Sequence, residues 1–222
     1  LVGIGRVEWA AREYRETLRL DPRRSEIYLE LGQTLEREYL WEEALECYRS
    51  ALAKGVETPE ILYREGLLLR RFEMPERAAA RFRDALRLDR GNTRARLALG
   101  ECLLALGQHD QAIAELKRAH GASAPTGTPL MRSLWEDASV ALGRSYLAIG
   151  NFKEAIRYLR AVVDEDGEKK AKRARRGLGA ALYASGSGLD EALDLWSGGD
   201  SSPITRLSAI NRGYALTRTG TY

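Results

Sequence analysis

The sequence predicts an all-α fold built from stacked helix pairs, on three observations. Glu, Ala, Leu and Arg dominate the 222 residues, and all four are good helix formers. Glycine recurs at Gly32, Gly66, Gly100, Gly143, Gly179 and Gly213, with spacings of 34, 34, 43, 36 and 34. Alanine recurs at Ala10, Ala44, Ala78, Ala112, Ala155 and Ala192, with spacings of 34, 34, 34, 43 and 37. Two independent markers share one period and the same two insertions, which is the signature of a repeat architecture. Glycine costs about 1 kcal/mol inside a helix, so keeping it in register has a packing reason. Strands are poorly supported: there are six prolines, and no alternating apolar–polar run bounded by Asn-Gly or Asp-Gly.

A 34-residue unit of two helices, with these markers, resembles the tetratricopeptide repeat. That family carries Leu-Gly at its seventh and eighth positions, a bulky residue at the eleventh and Ala at the twentieth. A large residue follows at the twenty-fourth and Ala at the twenty-seventh. The first full repeat matches with Leu31-Gly32, Leu35, Ala44, Tyr48 and Ala51. The second matches with Gly66, Leu69, Ala78, Phe82 and Ala85, but Glu65 stands where Leu is usual. The third has Leu99-Gly100, Leu103, Ala112, Leu116 and Ala119. The fourth has Leu142-Gly143, Tyr146, Ala155 and Leu159. The fifth has Leu178-Gly179 and Leu182, then Ala192 and Trp196 shifted by one. The resemblance implies a right-handed superhelical solenoid of antiparallel helix pairs. Small residues at the helix crossing and large residues between neighbouring units are the expected packing.

In chain order, residues 1–22 are expected to be a partial repeat. They comprise the end of a first helix, a turn and a second helix carrying Tyr14, Leu18 and Pro22. Repeats follow at 25–58, 59–92 and 93–128. After His120, Gly121 to Thr128 reads as a loop, with Thr128 as an N-cap and Pro129 at the first helical position. The repeat at 129–166 therefore has an extended first helix, from about Pro129 to Ile149. A divergent repeat at 169–200 opens on a basic run, and Gly186-Ser187-Gly188 lengthens its turn. Residues 204–222 are expected to be a first helix and its turn. Solenoids need polar terminal caps, and neither end carries one. The sequence also begins without Met, so the expectation is a segment of a longer single array.

Composition narrows the function classes. With 35 basic and 32 acidic residues the net charge is +3, too balanced for a dedicated nucleic-acid binder. No apolar run approaches the length of a membrane span. The start lacks the basic end, apolar run and cleavage site of a signal peptide. Cys47 and Cys102 are not a disulfide framework. They fit a reducing compartment, so a cytoplasmic protein is expected, with the periplasm left open. The 29 Arg against 6 Lys suggest a GC-rich, bacterial genome.

Catalysis finds no constellation. His109 sits in an expected helix–helix turn and His120 before a loop, and neither has partners at zinc spacing. Cys102 and His109 lack a third group to orient them. Gly177-Leu178-Gly179 follows no strand and lacks the third glycine of a dinucleotide fingerprint. The expectation is a non-catalytic chain with no cofactor and no metal.

Binding is the alternative that the resemblance implies. In the family, the first helix of each repeat lines a concave groove, mainly at positions two, five, nine, twelve and thirteen. Carried over, these positions select Leu29, Gln33 and Glu36, then Tyr63, Leu67 and Arg70. They also select Leu97, Glu101 and Leu104, then Val140, Arg144 and Leu147. Leu67, Leu97, Leu104, Val140 and Leu147 form an apolar stripe that either anchors a peptide or helix or packs between neighbouring first helices. The family's carboxylate clamp is absent, since Leu29, Gln33, Arg64 and Ala98 replace four of its five residues. The basic patch Lys169, Lys170, Lys172, Arg173, Arg175 and Arg176 is a solvated helix face or a site for an acidic partner. Nucleic acid is disfavoured there, because no aromatic pattern accompanies it. The expected function is a protein–protein interaction scaffold or adaptor. A self-association module, and a regulatory region of a larger enzyme or transcription regulator, are the alternatives.

Overall fold

The computed structural model describes residues 2–124, 126–164 and 168–197, with the backbone alone at 2–8 and 168–171. The described residues form eleven α-helices and no strand. They are α1 (Val2–Leu20), α2 (Ser25–Arg37), α3 (Trp41–Ala53), α4 (Pro59–Arg71), α5 (Pro75–Leu88) and α6 (Thr93–Ala105). There follow α7 (His109–Gly121), α8 (Pro129–Ala148), α9 (Phe152–Val163), α10 (Glu168–Ser185) and α11 (Leu189–Ser197). No helix among the described residues is long and apolar enough to cross a membrane.

The chain divides into two compact units, Leu1–Cys102 and Leu103–Tyr222. In the first, α1 packs on α2, α2 on α3, α3 on α4 and α4 on α5, and α2 also touches α4. In the second, α7 packs on α8, α8 on α9, α9 on α10 and α10 on α11, and α8 also touches α10. Within each unit these helices thus stack on their chain neighbours, and the first helices α2 and α4, and α8 and α10, also meet.

Helix starts follow local chemistry. The Thr58 hydroxyl accepts from the Ile61 N–H at 3.2 Å, with Pro59 at the first position of α4. Thr128 caps α8 in the same way, accepting from Met131 at 3.3 Å ahead of Pro129. Asn92 and Asn151 accept from Ala95 at 3.0 Å and Glu154 at 3.3 Å.

The turn inside each repeat is one geometry written five times. Tyr39, Glu73, Gly107, Gly150 and Gly186, all at the fifteenth position, adopt φ of 63°, 56°, 70°, 74° and 67°. At four of these turns the next N–H reaches back five residues: Leu40 to Leu35 O, Met74 to Leu69 O, Gln108 to Leu103 O and Asn151 to Tyr146 O. A left-handed residue closing such a bond is the Schellman way of ending a helix.

The register glycines are notches. A Cβ on Gly32 would lie 2.3 Å from the Tyr48 ring, and one on Gly66 2.6 Å from the Phe82 ring. On Gly143 it would lie 2.4 Å from Leu159 Cγ, and on Gly179 2.5 Å from Trp196 Nε1. The large twenty-fourth residue therefore seats on the eighth-position glycine of its own repeat. Sequence reasoning placed it between neighbouring units. It does both at Leu159, which also lies 3.1 Å from where a Gly177 Cβ would stand in the next repeat. Trp196, though shifted by one, still fills its notch and donates Nε1–H to Arg176 O at 3.3 Å.

Two local expectations are corrected. The turn expected within residues 1–10 is absent among the described residues, because α1 is continuous from Val2 to Leu20. Each residue added to a nucleated helix gains one backbone hydrogen bond, which offsets the glycine penalty. His109 is the first residue of α7 rather than part of a turn. The expected partial repeat at 204–222 lies outside the described residues.

Candidate partner-binding faces

In the first unit, the selected positions lie on α2, α4 and the first part of α6. Leu29, Gln33, Glu36, Tyr63, Leu67 and Glu101 are half-buried, and Arg70 is exposed. Leu97 is interior, at 7% exposure. In the second unit, Val140 and Leu147 are interior at 9% and 5%, Leu104 is half-buried and Arg144 is exposed. The apolar stripe thus splits: three members pack inside their units, while Leu67 and Leu104 keep part of their surface.

The charged positions of the first unit are joined across successive first helices. The Tyr48 hydroxyl donates to Glu36 Oε1 at 2.6 Å. Arg64 reaches the other oxygen of Glu36 at 3.1 Å and Glu60 Oε1 at 2.9 Å. Arg94 takes the second Glu60 oxygen at 2.9 Å and lies over the Tyr63 ring, 5.1 Å from its centroid. Arg70 is ion-paired with Glu101. Burial acts to lower the Arg64 pKa, but Glu60 and Glu36 outweigh it and the net direction is upward. Burial raises the Tyr48 hydroxyl, and its bond to the Glu36 carboxylate raises it further. Sequence reasoning did not pick out Arg64 as the hub, although Glu60 four residues earlier is the spacing of a helical ion pair.

On a different face of the same unit, Glu65 is 1% exposed. Arg81 Nε lies 2.6 Å from its Oε2 and Arg49 Nε 3.6 Å from its Oε1. The Arg81 contact is an ion pair by distance, but Oε2 accepts no hydrogen bond of proper geometry. A cavity of about 350 Å³ opens between α1, α2 and α3, lined by Arg15, Leu18, Tyr28, Leu31 and Cys47. None of the positions selected from sequence lines it.

The second unit holds an aromatic cluster with no sequence forewarning. His120 lies 5.5 Å from Trp135 and 5.3 Å, edge-on, from Tyr158, while Tyr146 stacks on Tyr158 at 5.8 Å. Burial, and then Arg157, lower the His120 pKa. The second-helix arginines are paired: Arg118 with Glu115 at 2.9 Å, Arg157 with Glu154 at 3.2 Å and Arg160 with Glu191 at 2.6 Å. Of the basic run, Lys172, Arg173, Arg175 and Arg176 are exposed on α10, and the side chains of Lys169 and Lys170 lie outside the described residues. Cys47 and Cys102 are free and buried, and burial pushes their thiols up to about 12 and about 11. Among the described residues no His, Cys, Asp and Glu cluster could hold a metal ion.

Comparison with known proteins agrees with this helix-pair geometry. Tetratricopeptide repeat sequence models match residues 69–124, and residues 1–60 with 140–196. Among solved structures the chain is similar to YrrB, described as a TPR protein with an unusual peptide-binding site. The identity is 21% and the TM-score 0.72, over 90% of this chain and 99% of that one. It is similar to MamA from Desulfovibrio magneticus at 21% identity and a TM-score of 0.64, covering 89% and 97% of the two chains. A tetratricopeptide repeat protein from Parabacteroides merdae aligns at 15% identity and a TM-score of 0.67, covering 100% and 89%. The matched segments span more than half of the sequence and the repeat packing accompanies them, so this chain belongs to the tetratricopeptide repeat family.

Proposed function

We propose that the chain is a non-catalytic scaffold or adaptor that holds a partner peptide or helix on the exposed faces of its first helices. The observation that carries this reading is the ladder Glu36–Arg64–Glu60–Arg94, with Arg70–Glu101 beside it. Ion pairing across three successive first helices holds these side chains in fixed positions, with half-buried Leu29 and Leu67 on the same helices. A preordered polar strip beside partly exposed apolar side chains lowers the entropy lost when a partner binds. The peptide-binding site described for YrrB supports the same use of the fold. The free thiols support a reducing compartment, the cytoplasm.

The burial pattern dictates the test. Leu97→Glu would place a charge in the interior and unfold the unit, so it cannot report on binding. Leu67→Glu with Leu104→Glu alters half-buried surface instead. Wild-type protein used as bait in an extract of the source organism should recover a partner that the double variant loses, with an unchanged helical circular-dichroism signal. Equal recovery by both proteins overturns the reading.

A further inference from the structure

The two units treat their first-helix arginines differently. In the first unit, Arg64, Arg70 and Arg94 are ion-paired with first-helix carboxylates, Arg37 bonds to Gln33 O and the Thr34 hydroxyl, and Arg71 lies over the Trp41 ring. In the second, Arg144 on α8 and Arg173 and Arg176 on α10 form no ion pair among the described residues, and all three are exposed. Arg173 and Arg176 are one turn apart, about 4.5 Å along the axis, and so share a face of α10. α8 packs directly on α10, which sets the Arg144 helix beside them. Arg144 is exposed on α8 between interior Val140 and Leu147. Asp137, an acidic residue of α8, is already engaged in an interaction of its own. The second-helix arginines Arg118, Arg157 and Arg160 of this unit pair with Glu115, Glu154 and Glu191. Lys172 and Arg175 are also exposed on α10.

Resting on the partner-binding reading above, we propose that the α8–α10 face of the second unit docks an acidic peptide segment, with Arg144, Arg173 and Arg176 taking its carboxylates. Charge complementarity selects the occupant: three exposed guanidiniums that form no ion pair among the described residues present planar, two-donor forks that match carboxylate geometry. A peptide suits the face better than a nucleic acid. Among the described residues, the aromatic rings near this face are already in use, Tyr183 against Trp196 and Tyr146 against Tyr158.

The test is fluorescence anisotropy on the full chain with a labelled peptide of about twelve residues alternating Glu and Leu. Wild-type protein should bind it, with affinity falling as salt rises. The triple variant Arg144→Ala, Arg173→Ala, Arg176→Ala should lose about tenfold or more in affinity. Arg83→Ala, an exposed arginine on α5, should change nothing. Three outcomes overturn the proposal: no binding to wild type, equal binding by the triple variant, or tighter arginine-dependent binding of a single-stranded oligonucleotide of equal charge. If the triple variant still recovers the natural partner while Leu67→Glu with Leu104→Glu loses it, the acidic site fails and the scaffold reading stands.

Discussion

Glu65 occupies a position that is leucine in the other four repeats, as Leu31, Leu99, Leu142 and Leu178. Its carboxylate is desolvated and held by two arginines that both keep access to water. Burying a charge costs several kcal/mol, and an ion pair recovers this only with good geometry, which Oε2 lacks. Glu65→Leu should therefore stabilise the protein by about 1 kcal/mol, read as a raised denaturation midpoint. Glu65→Ala, which leaves a cavity as well, should destabilise it by about 2 kcal/mol. His120 sets a second residue-scale expectation. Burial holds its pKa below the usual value of about 6.5, so the unfolded chain takes up a proton that the folded one resists. The stabilisation is complete above that pH and is lost as pH falls through and below it. Thermal melts between about pH 7.5 and 5 should show this slope, and His120→Phe should flatten it. Neither effect was legible in the sequence. It showed that Glu65 breaks the pattern and that His120 precedes a loop, but not which rings and cations surround them.

At the scale of elements, the repeat is held by a notch and a turn. Gly32→Ala would ordinarily favour a helix, but its Cβ would sit 2.3 Å from the Tyr48 ring. The variant should lose about 2–3 kcal/mol in chemical denaturation, because the ring has to leave a well-packed site. The turn predicts the opposite sign. Glu73 holds a left-handed conformation that Gly107, Gly150 and Gly186 adopt at the equivalent place. Glu73→Gly should raise stability by about 0.5 kcal/mol, the relief of backbone strain exceeding the added freedom of the unfolded chain. Tyr39→Gly should gain less, since it also removes the edge contact of Tyr39 with Trp41 at 5.6 Å. The notches were visible in advance as a glycine ruler, because a 34-residue spacing recurs on both sides of the two insertions. The shared turn was not, since Tyr and Glu disguise it in two repeats.

Within each unit, packing runs between helices adjacent or next but one in the chain, so stability is closer to a sum of local terms than to a single cooperative core. Gly143→Ala, whose Cβ would meet Leu159 at 2.4 Å, should speed amide exchange in α8, α9 and α10. Exchange in α2 to α5 should stay close to wild type; a uniform rise across both units would show a fully cooperative fold instead. The sequence by itself determined the helix-pair architecture, the glycine and alanine register, the cap at Thr128, and the family. Each of these is local or periodic, and spacing along one chain carries it. Tertiary structure alone decided which groove-position side chains stay at the surface. Leu67 and Leu97 occupy different positions of the same repeat plan, yet one is half-buried and the other interior. It also decided that Arg64 is neutralised between Glu36 and Glu60, while Arg144, Arg173 and Arg176 are left exposed. The reason is physical: exposure and charge pairing depend on what neighbouring helices bring across the interface, and no periodicity within one helix encodes that.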